Sequence, residues 1–492
     1  MLVLYNPPSS ANRKPVLPMS LLALGQVLEE EHDYVIVDGN LERDPLAALE
    51  RAIQENGAEV LGVTVMPGPQ LHNAVPICQE IRRRYPEVVI VWGGYFPTQH
   101  YDVCLRADYV DYCVLGHGEF VFQALLKALR GGDDPTHLLG LAYRDPQSGE
   151  ILENGLAPIP HPQNLPPLYP YQRVDVRRYI RRTFMGSRTL PHHSSYGCPF
   201  FCNFCAVVNM VGGRWKAQTA AQTAEVVKYL LRNYAINAVE FYDNNFFTHE
   251  ARVTEFAERV KDFGIHWWGE ARIDTMVKYD NRTWELIRDA GLKMVFLGAE
   301  SGSDETLKRM NKGGKASIEK TLEIAGKMKA YGIVPEMSFV LGNPPDPEGD
   351  AYKTIEFIRK VKRVNPDTEI IMYMYTPVPL AGELYEQAKA KGFRFPGTLD
   401  AWVSQEWQDF SQRRSANVPW MEDPVRKQIV EFQWTLNAYY PTMTDPGLTK
   451  LKRTFLRTAS AWRYHLGFYK QPIELKAIHK FITYQRPETS GF

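Results

Sequence analysis

No apolar run in this 492-residue sequence is long enough to span a bilayer. The opening stretch Met1 to Tyr5 is also too short for a signal peptide, and it runs directly into Asn6-Pro7-Pro8. The expectation is a first strand of a cytoplasmic protein with no transmembrane segment. Net charge is lacking too, since 57 Lys and Arg balance 57 Asp and Glu. That removes the electrostatic basis for coating nucleic acid, so no nucleic-acid partner is expected. Gly and Pro, at 35 and 34, stand near average usage and exclude a collagen-like or low-complexity chain. Cysteine is scarce, with six residues, too few for a disulfide scaffold at this length. No G-x-G-x-x-G follows the first strand, so a dinucleotide is not indicated. What is present is 44% hydrophobic and 23% charged residues, enough apolar material for more than one core. The length suggests about three domains.

Residues 1–135 alternate short apolar runs with helix-like stretches. Strands are expected at 2–5, 34–38, 60–65, 88–92 and 112–115, with helices at 20–30 (Ser20 as N-cap) and 45–56. This rhythm implies a doubly wound parallel sheet, Rossmann-like, with both faces covered. Ligands of such sheets bind beyond the carboxyl ends of the strands. The Gly-bearing turns fall there: Asp38-Gly39, Pro67-Gly68, Gly93-Gly94 and Gly116-His117-Gly118-Glu119. Glycine allows close backbone approach to a large ligand. Cys78, Cys104 and Cys113 lie among apolar residues and read as packing groups.

Cys198, Cys202 and Cys205 form C-x-x-x-C-x-x-C. Thiolates this close let one loop wrap one soft metal centre. A structural zinc site needs a fourth ligand, for which His192 and His193 are candidates. A 4Fe-4S cluster with three protein thiolates instead leaves one iron open. After the cysteines, strands are expected at 238–243, 265–271, 294–299, 334–341 and 369–376, with helices at 221–233, 250–263 and 318–331. Residues 194–197 are expected to end a first strand, making a partial (β/α)6 TIM-type barrel whose chemistry sits at the strand carboxyl ends.

The turns at Asn6-Pro7-Pro8, 18–24, Val37-Asp38, Gly93-Gly94-Tyr95-Phe96-Pro97-Thr98 and 116–119 resemble the cobalamin-binding domain that precedes many radical SAM domains. The cysteine spacing, with Phe204 before the last Cys, resembles the radical SAM signature itself. The stretch 300–313 and Pro379-Leu380-Ala381-Gly382-Glu383-Leu384-Tyr385-Glu386 resemble the same cobalamin-dependent radical SAM enzymes. In the second of these stretches, relatives usually write Pro-Gly-Thr before Leu-Tyr.

The resemblance implies a 4Fe-4S cluster on Cys198, Cys202 and Cys205, with S-adenosylmethionine chelated at the open iron. It implies SAM contacts from Asp243, Asn244, Arg272, Glu300, Ser301 and Ser338, with Arg272 facing the SAM carboxylate. Cobalamin contacts are implied at Pro67, Gly93, Gly94, Gly116, His117, Gly118 and Glu119. The D-x-H-x-x-G motif that supplies a cobalt ligand is absent, so His117 is either a turn residue or an axial ligand.

Domains are expected at 1–135 (cobalamin-binding), 136–185 (linker), 186–394 (radical SAM barrel) and 395–492. The last is a helical piece rich in Trp402, Trp407, Trp420, Trp434 and Trp462, expected as a cap beside the barrel mouth. Its aromatics either pack on the barrel or wall a bulky substrate. Its Lys450, Lys452, Arg453, Arg457, Arg463 and Lys470 suit either a solvated helix face or an anionic lipid surface.

The implied activity is C-methylation of a small-molecule or lipid-like substrate. A 5′-deoxyadenosyl radical abstracts hydrogen, and methylcobalamin donates the methyl group. An external donor such as flavodoxin or ferredoxin would supply electrons. An oxidative cyclase of the tetrapyrrole type and a non-catalytic cluster–cobalamin sensor are the alternatives.

Overall fold

The computed structural model describes residues 1–9, 15–312, 316–379, 382–411, 418–445 and 447–485. Gly313, Leu380 and Ala381, in the stretches that carry part of the resemblance, lie outside the described residues.

The chain opens on a parallel sheet of Leu2–Asn6 (β1), Tyr34–Asp38 (β2), Val60–Thr64 (β3), Val89–Gly93 (β4) and Tyr112–Val114 (β5). Their order is β2-β1-β3-β4-β5, so the chain reverses direction across the sheet between β1 and β3. Every residue of β1 is buried, as a strand covered on both faces requires. Local chemistry sets the helices. Asp44 caps Pro45–Asn56 by accepting from the Ala47 N–H at 3.1 Å, and Gly57 ends it at φ 58°. The helix Met19–Leu28 begins without a side-chain cap, and Ser20 instead donates to Thr64 Oγ1 at 3.2 Å. Cys78, Cys104 and Cys113 are fully buried in the apolar core, as packing residues.

The stretch expected as a linker does more than connect. Leu141–Arg144 (β6) and Ile151–Glu153 (β7) extend the first sheet antiparallel beyond β5. Tyr179 then reaches back, its hydroxyl donating to Asp38 Oδ2 at 2.9 Å.

The central sheet corrects one expectation. Its first strand is Thr189–His192 (β8), not residues 194–197. Ser195–Gly197 (β9) leaves the sheet and pairs antiparallel with Trp215–Ala217 (β10). Two features force the departure. Asp243 takes the Ser194 N–H at 2.6 Å, and Gly197 turns at φ 79°, where a Cβ would lie 2.2 Å from the Arg214 carbonyl. Ala238–Phe241 (β11), His266–Ala271 (β12), Leu292–Glu300 (β13), Val334–Leu341 (β14) and Glu369–Met374 (β15) complete six parallel strands in the order β15-β14-β13-β12-β11-β8. Side chains alternate along them. Trp267, Val295 and Met337 join the core under the outer helices. Trp268, Glu270, Phe296 and Glu336 take the other, inner face.

The C-terminal helices do not form one cap. Leu399 and Trp402 belong to the first domain's core, with the Trp402 ring 5.0 Å from Phe96 and 4.6 Å from His100. The helix Asp423–Tyr439 packs Ile429, Phe432 and Leu436 into the barrel's core instead. Among the described residues no helix is long and apolar enough to cross a membrane.

Candidate cofactor sites

Cys198, Cys202 and Cys205 lie in the loop after β9, all three as free thiols. Cys202 is buried and the other two are half-buried. Burial pushes the Cys198 thiol up, and the Cys205 thiol up to about 12. Thiols held this way are protonated in water and ionise when metal displaces the protons. Among the described residues no three His, Cys, Asp or Glu side chains converge closely enough for a single metal ion. The donor set, three soft sulfurs spread along one loop, fits a polynuclear iron–sulfur group. Phe204 packs against the main core and anchors the loop between the last two thiols.

Arg272, just past the end of β12, ties this loop to the barrel. Its guanidinium forks onto both oxygens of Asp274 at 3.0 Å. It also donates to the Lys312 carbonyl at 2.7 Å and to Cys202 Sγ at 3.2 Å, and it lies 3.9 Å over the Phe200 ring. Four of the five Arg272 N–H donors are thus directed to Asp274, the backbone and the cysteine loop, which leaves one N–H of Nη1 for a further acceptor such as the expected carboxylate.

The other expected SAM contacts divide. Asp243 is fully buried and accepts from the Ser194 N–H and hydroxyl, both at 2.6 Å, and from the Ser195 hydroxyl at 2.7 Å. It holds the start of the cysteine hairpin rather than pointing into open space. Asn244 is exposed. Asn245 is the residue of that triplet the sequence reading passed over. It is fully buried, and its amide has no hydrogen-bond partner besides the adjacent Cys198 thiol. Such an amide fits a polar ligand.

Glu300 sits at φ 65° and pairs with Lys312 Nζ at 2.8 Å. Lys312, within the stretch that carried the resemblance, also donates to the Gly298 carbonyl at 2.6 Å. Ser301 donates to Asp350 Oδ1 at 3.3 Å, below the rim. Ser338 is buried on β14, in register with Gly298 of β13. Two further groups had no motif to announce them. Arg252 donates to the Ser194 hydroxyl at 2.6 Å beneath the cysteine loop. Glu270 lies on the inner face of β12, its carboxyl pushed up to about 8 by burial and by the charges of Asp243 and Glu336.

The carboxyl ends of β4 and β5 meet the cysteine loop directly. Gln99 donates to the Ala206 carbonyl at 3.1 Å and accepts from Asn209 at 2.5 Å. The His117 ring stacks on Tyr196 of β9 at 4.7 Å, and its Nδ1 stands 3.8 Å from Glu119. Burial alone would raise the Glu119 carboxyl, but hydrogen bonding and charge from His117 outweigh it and hold the group low. His117 thus has a local partner in Glu119 and a stacking face on Tyr196. Tyr95, which follows Gly93 and Gly94, is near enough to Cys205 for that thiol's charge to add to burial in raising the phenol. Gly116, at φ 72°, is required by the docking itself, because a Cβ there would stand 2.9 Å from the Met210 carbonyl. At Gly118 a Cβ would meet Val114 at 3.0 Å, so this glycine too serves close packing.

A cavity of about 480 Å³ opens at the ends of β3 and β4. Pro67, Gly68 and Tyr95 line it on one side, and Pro377, Trp402 and Trp407 on the other. Gly68, at φ 80°, leaves open space where a side chain would stand. A mostly apolar chamber at strand carboxyl ends, with a glycine rim, fits part of a large flat cofactor.

Residues 13–126 match the B12 binding domain family, and residues 193–358 match the Radical SAM superfamily. An uncharacterized methyltransferase of Pyrococcus horikoshii is 25% identical over 368 residues, 73% of this chain and 78% of that protein. The anaerobic magnesium-protoporphyrin IX monomethyl ester cyclase of Synechocystis sp. is 26% identical over 391 residues, 76% and 74% of the two chains. The fold is shared with TsrM, a radical S-adenosylmethionine methyltransferase from Kitasatospora setae. That structure has a TM-score of 0.66 and 18% identity, with 98% of each chain covered.

Proposed function

From the premise that this chain is a radical SAM enzyme carrying a B12-binding domain ahead of its radical SAM domain, we propose that it is a cobalamin-dependent C-methyltransferase. One observation carries the reading. The carboxyl ends of the two parallel sheets face each other across the cysteine loop, joined by Gln99 to Ala206 and Asn209 and by His117 to Tyr196. Two cofactors held at those ends would share one chamber.

When bound, the cluster supplies the electron that splits the SAM sulfonium, and cobalamin supplies the methyl group. The chain's residues do the positioning. Cys198, Cys202 and Cys205 would hold the cluster, while Asn245, and Ser338 beside Gly298, would meet polar groups of SAM. The chamber at Pro67, Gly68 and Tyr95 would take part of cobalamin. Arg272 fixes the loop's shape, and Trp402 and Trp407 wall off water. We divide the chain at 1–135, 136–185, 186–394 and 395–492, with residues 141–153 completing the first sheet and Leu399 and Trp402 packed into the first domain's core. An external one-electron donor of the flavodoxin or ferredoxin kind fits this chemistry, with a small molecule as substrate.

The methyltransferase names among similar proteins support this reading, and the cyclase likeness supports ring closure as the second. Product counting separates them. Anaerobic turnover with reductant and substrate should give 5′-deoxyadenosine and S-adenosylhomocysteine together with added substrate mass. Ring closure without S-adenosylhomocysteine would replace the proposal. No SAM cleavage under any reductant would leave only a sensor.

A further inference from the structure

The helix Lys450–Leu466 presents two opposite faces. Leu456, Ser460 and Tyr464 are buried against the rest of the chain. On the far side Leu451 is 81% exposed, Leu466 76%, Phe455 51% and Trp462 47%. At roughly 100° per residue, those four side chains fall within an arc of about 60°. The arc therefore forms a continuous apolar stripe along the helix. Phe468 stacks on Trp462 at 5.8 Å and prolongs it, and beyond lie Ile473 at 70% and Phe481 at 88% exposed. Scattered exposed apolar residues are ordinary, but a stripe this long on one helix face is not.

Charge says what would cover it. Residues 449–485 hold eight Lys and Arg against one acid, Glu474, which Arg463 already engages at 2.8 Å. Lys452 lies about 40° past one edge of the stripe, whereas Lys450 and Arg457 stand about 100–120° from the other, Arg457 over the Tyr439 ring at 5.3 Å; all three are exposed. A second copy of this chain would bring like charge onto like charge. Nucleic acid would satisfy the cations but leave Leu451 and Leu466 against a polar surface. An anionic bilayer satisfies both, because the apolar stripe enters the headgroup boundary while the flanking cations meet lipid phosphates.

We propose that this face docks the protein peripherally on an anionic lipid surface. The test is flotation of the full-length protein with phosphatidylcholine vesicles, with and without phosphatidylglycerol, at low and high salt. Binding is expected only with phosphatidylglycerol, and it should weaken with salt. The paired changes Leu451→Gln with Leu466→Gln, and Lys450→Glu with Lys452→Glu, should each reduce binding by roughly tenfold or more. All four positions are exposed and outside the cofactor sites, so thermal unfolding and SAM cleavage should be unchanged. The proposal is overturned if the protein stays unbound with anionic vesicles, or if both variants float like the parent. It is equally overturned if the Leu451/Leu466 variant converts a dimer to a monomer, which would make a second copy the occupant.

Discussion

Arg272 offers the sharpest test of how the cysteine loop is held. Both members of its pair with Asp274 are buried, at 8% and 6% side-chain exposure, so solvent screens little of the interaction. Removing one partner of a buried pair typically costs about 3–5 kcal/mol, because the other charge is stranded. A domain has only about 5–15 kcal/mol of stability to lose. Arg272→Met should therefore lower the barrel's unfolding free energy by about 3–5 kcal/mol. Arg272→Lys keeps the charge but loses the fork and the stack on Phe200, so it should cost about half as much. Asp274→Asn should be damaging alone and much less so on top of Arg272→Met. The pair's coupling in that double-mutant cycle should reach about 2 kcal/mol. The assay is denaturant unfolding of metal-free protein under anaerobic conditions, following the barrel transition. Iron per chain after reconstitution is the second readout, and it should fall because Cys202 loses its donor. Cobalamin binding should survive. A loss below about 1 kcal/mol for Arg272→Met, or single effects that simply add, would refute the reasoning.

Three further outcomes follow from the geometry. Cys202→Ala should abolish 5′-deoxyadenosine formation while cobalamin retention on gel filtration stays near that of the parent protein. Gly116→Ala forces an L side chain to φ 72° against the Met210 carbonyl. It should weaken docking of the first domain by at least about 1–2 kcal/mol, read as faster limited proteolysis and a lower cobalamin affinity. Glu270 has its carboxyl raised to about 8, above the unfolded value, so the folded state holds a proton that the unfolded state releases. Its favourable contribution is complete below the unfolded pKa and is lost as pH rises toward 8, by up to about 1.4 kcal/mol per pH unit. Melting temperatures of metal-free Glu270→Gln should therefore fall less between pH 5 and pH 8 than those of the parent; parallel curves would refute the assignment.

Where the sequence reading succeeded, local chemistry was decisive. Residues 34–38, 45–56, 318–331 and 334–341 form the expected elements, because apolar periodicity and caps such as Asp44 act over a few residues. Where it failed, the deciding interactions lay far along the chain. Ser194–Gly197 has strand chemistry, but Asp243, some 49 residues later, draws it out of the sheet. The other partners of Arg272 were equally out of reach, since only the fold brings Asp274, Lys312 and Cys202 to its donors. Asn245 was overlooked beside Asp243 because burial is invisible in one dimension.

By itself the sequence determined that three thiols on one loop follow a doubly wound sheet and precede a second set of strand–helix units. Spacing and periodicity are properties of the local chain, and they survive any later arrangement. Only the tertiary structure decided that the two sheets meet at their carboxyl ends across that loop, and that Trp402 and Trp407 close a cavity lined jointly by the first domain and the residues that follow β15. Those facts depend on contacts between residues up to some hundreds of positions apart. Such contacts are selected by burial and charge pairing in three dimensions, and no short motif encodes them.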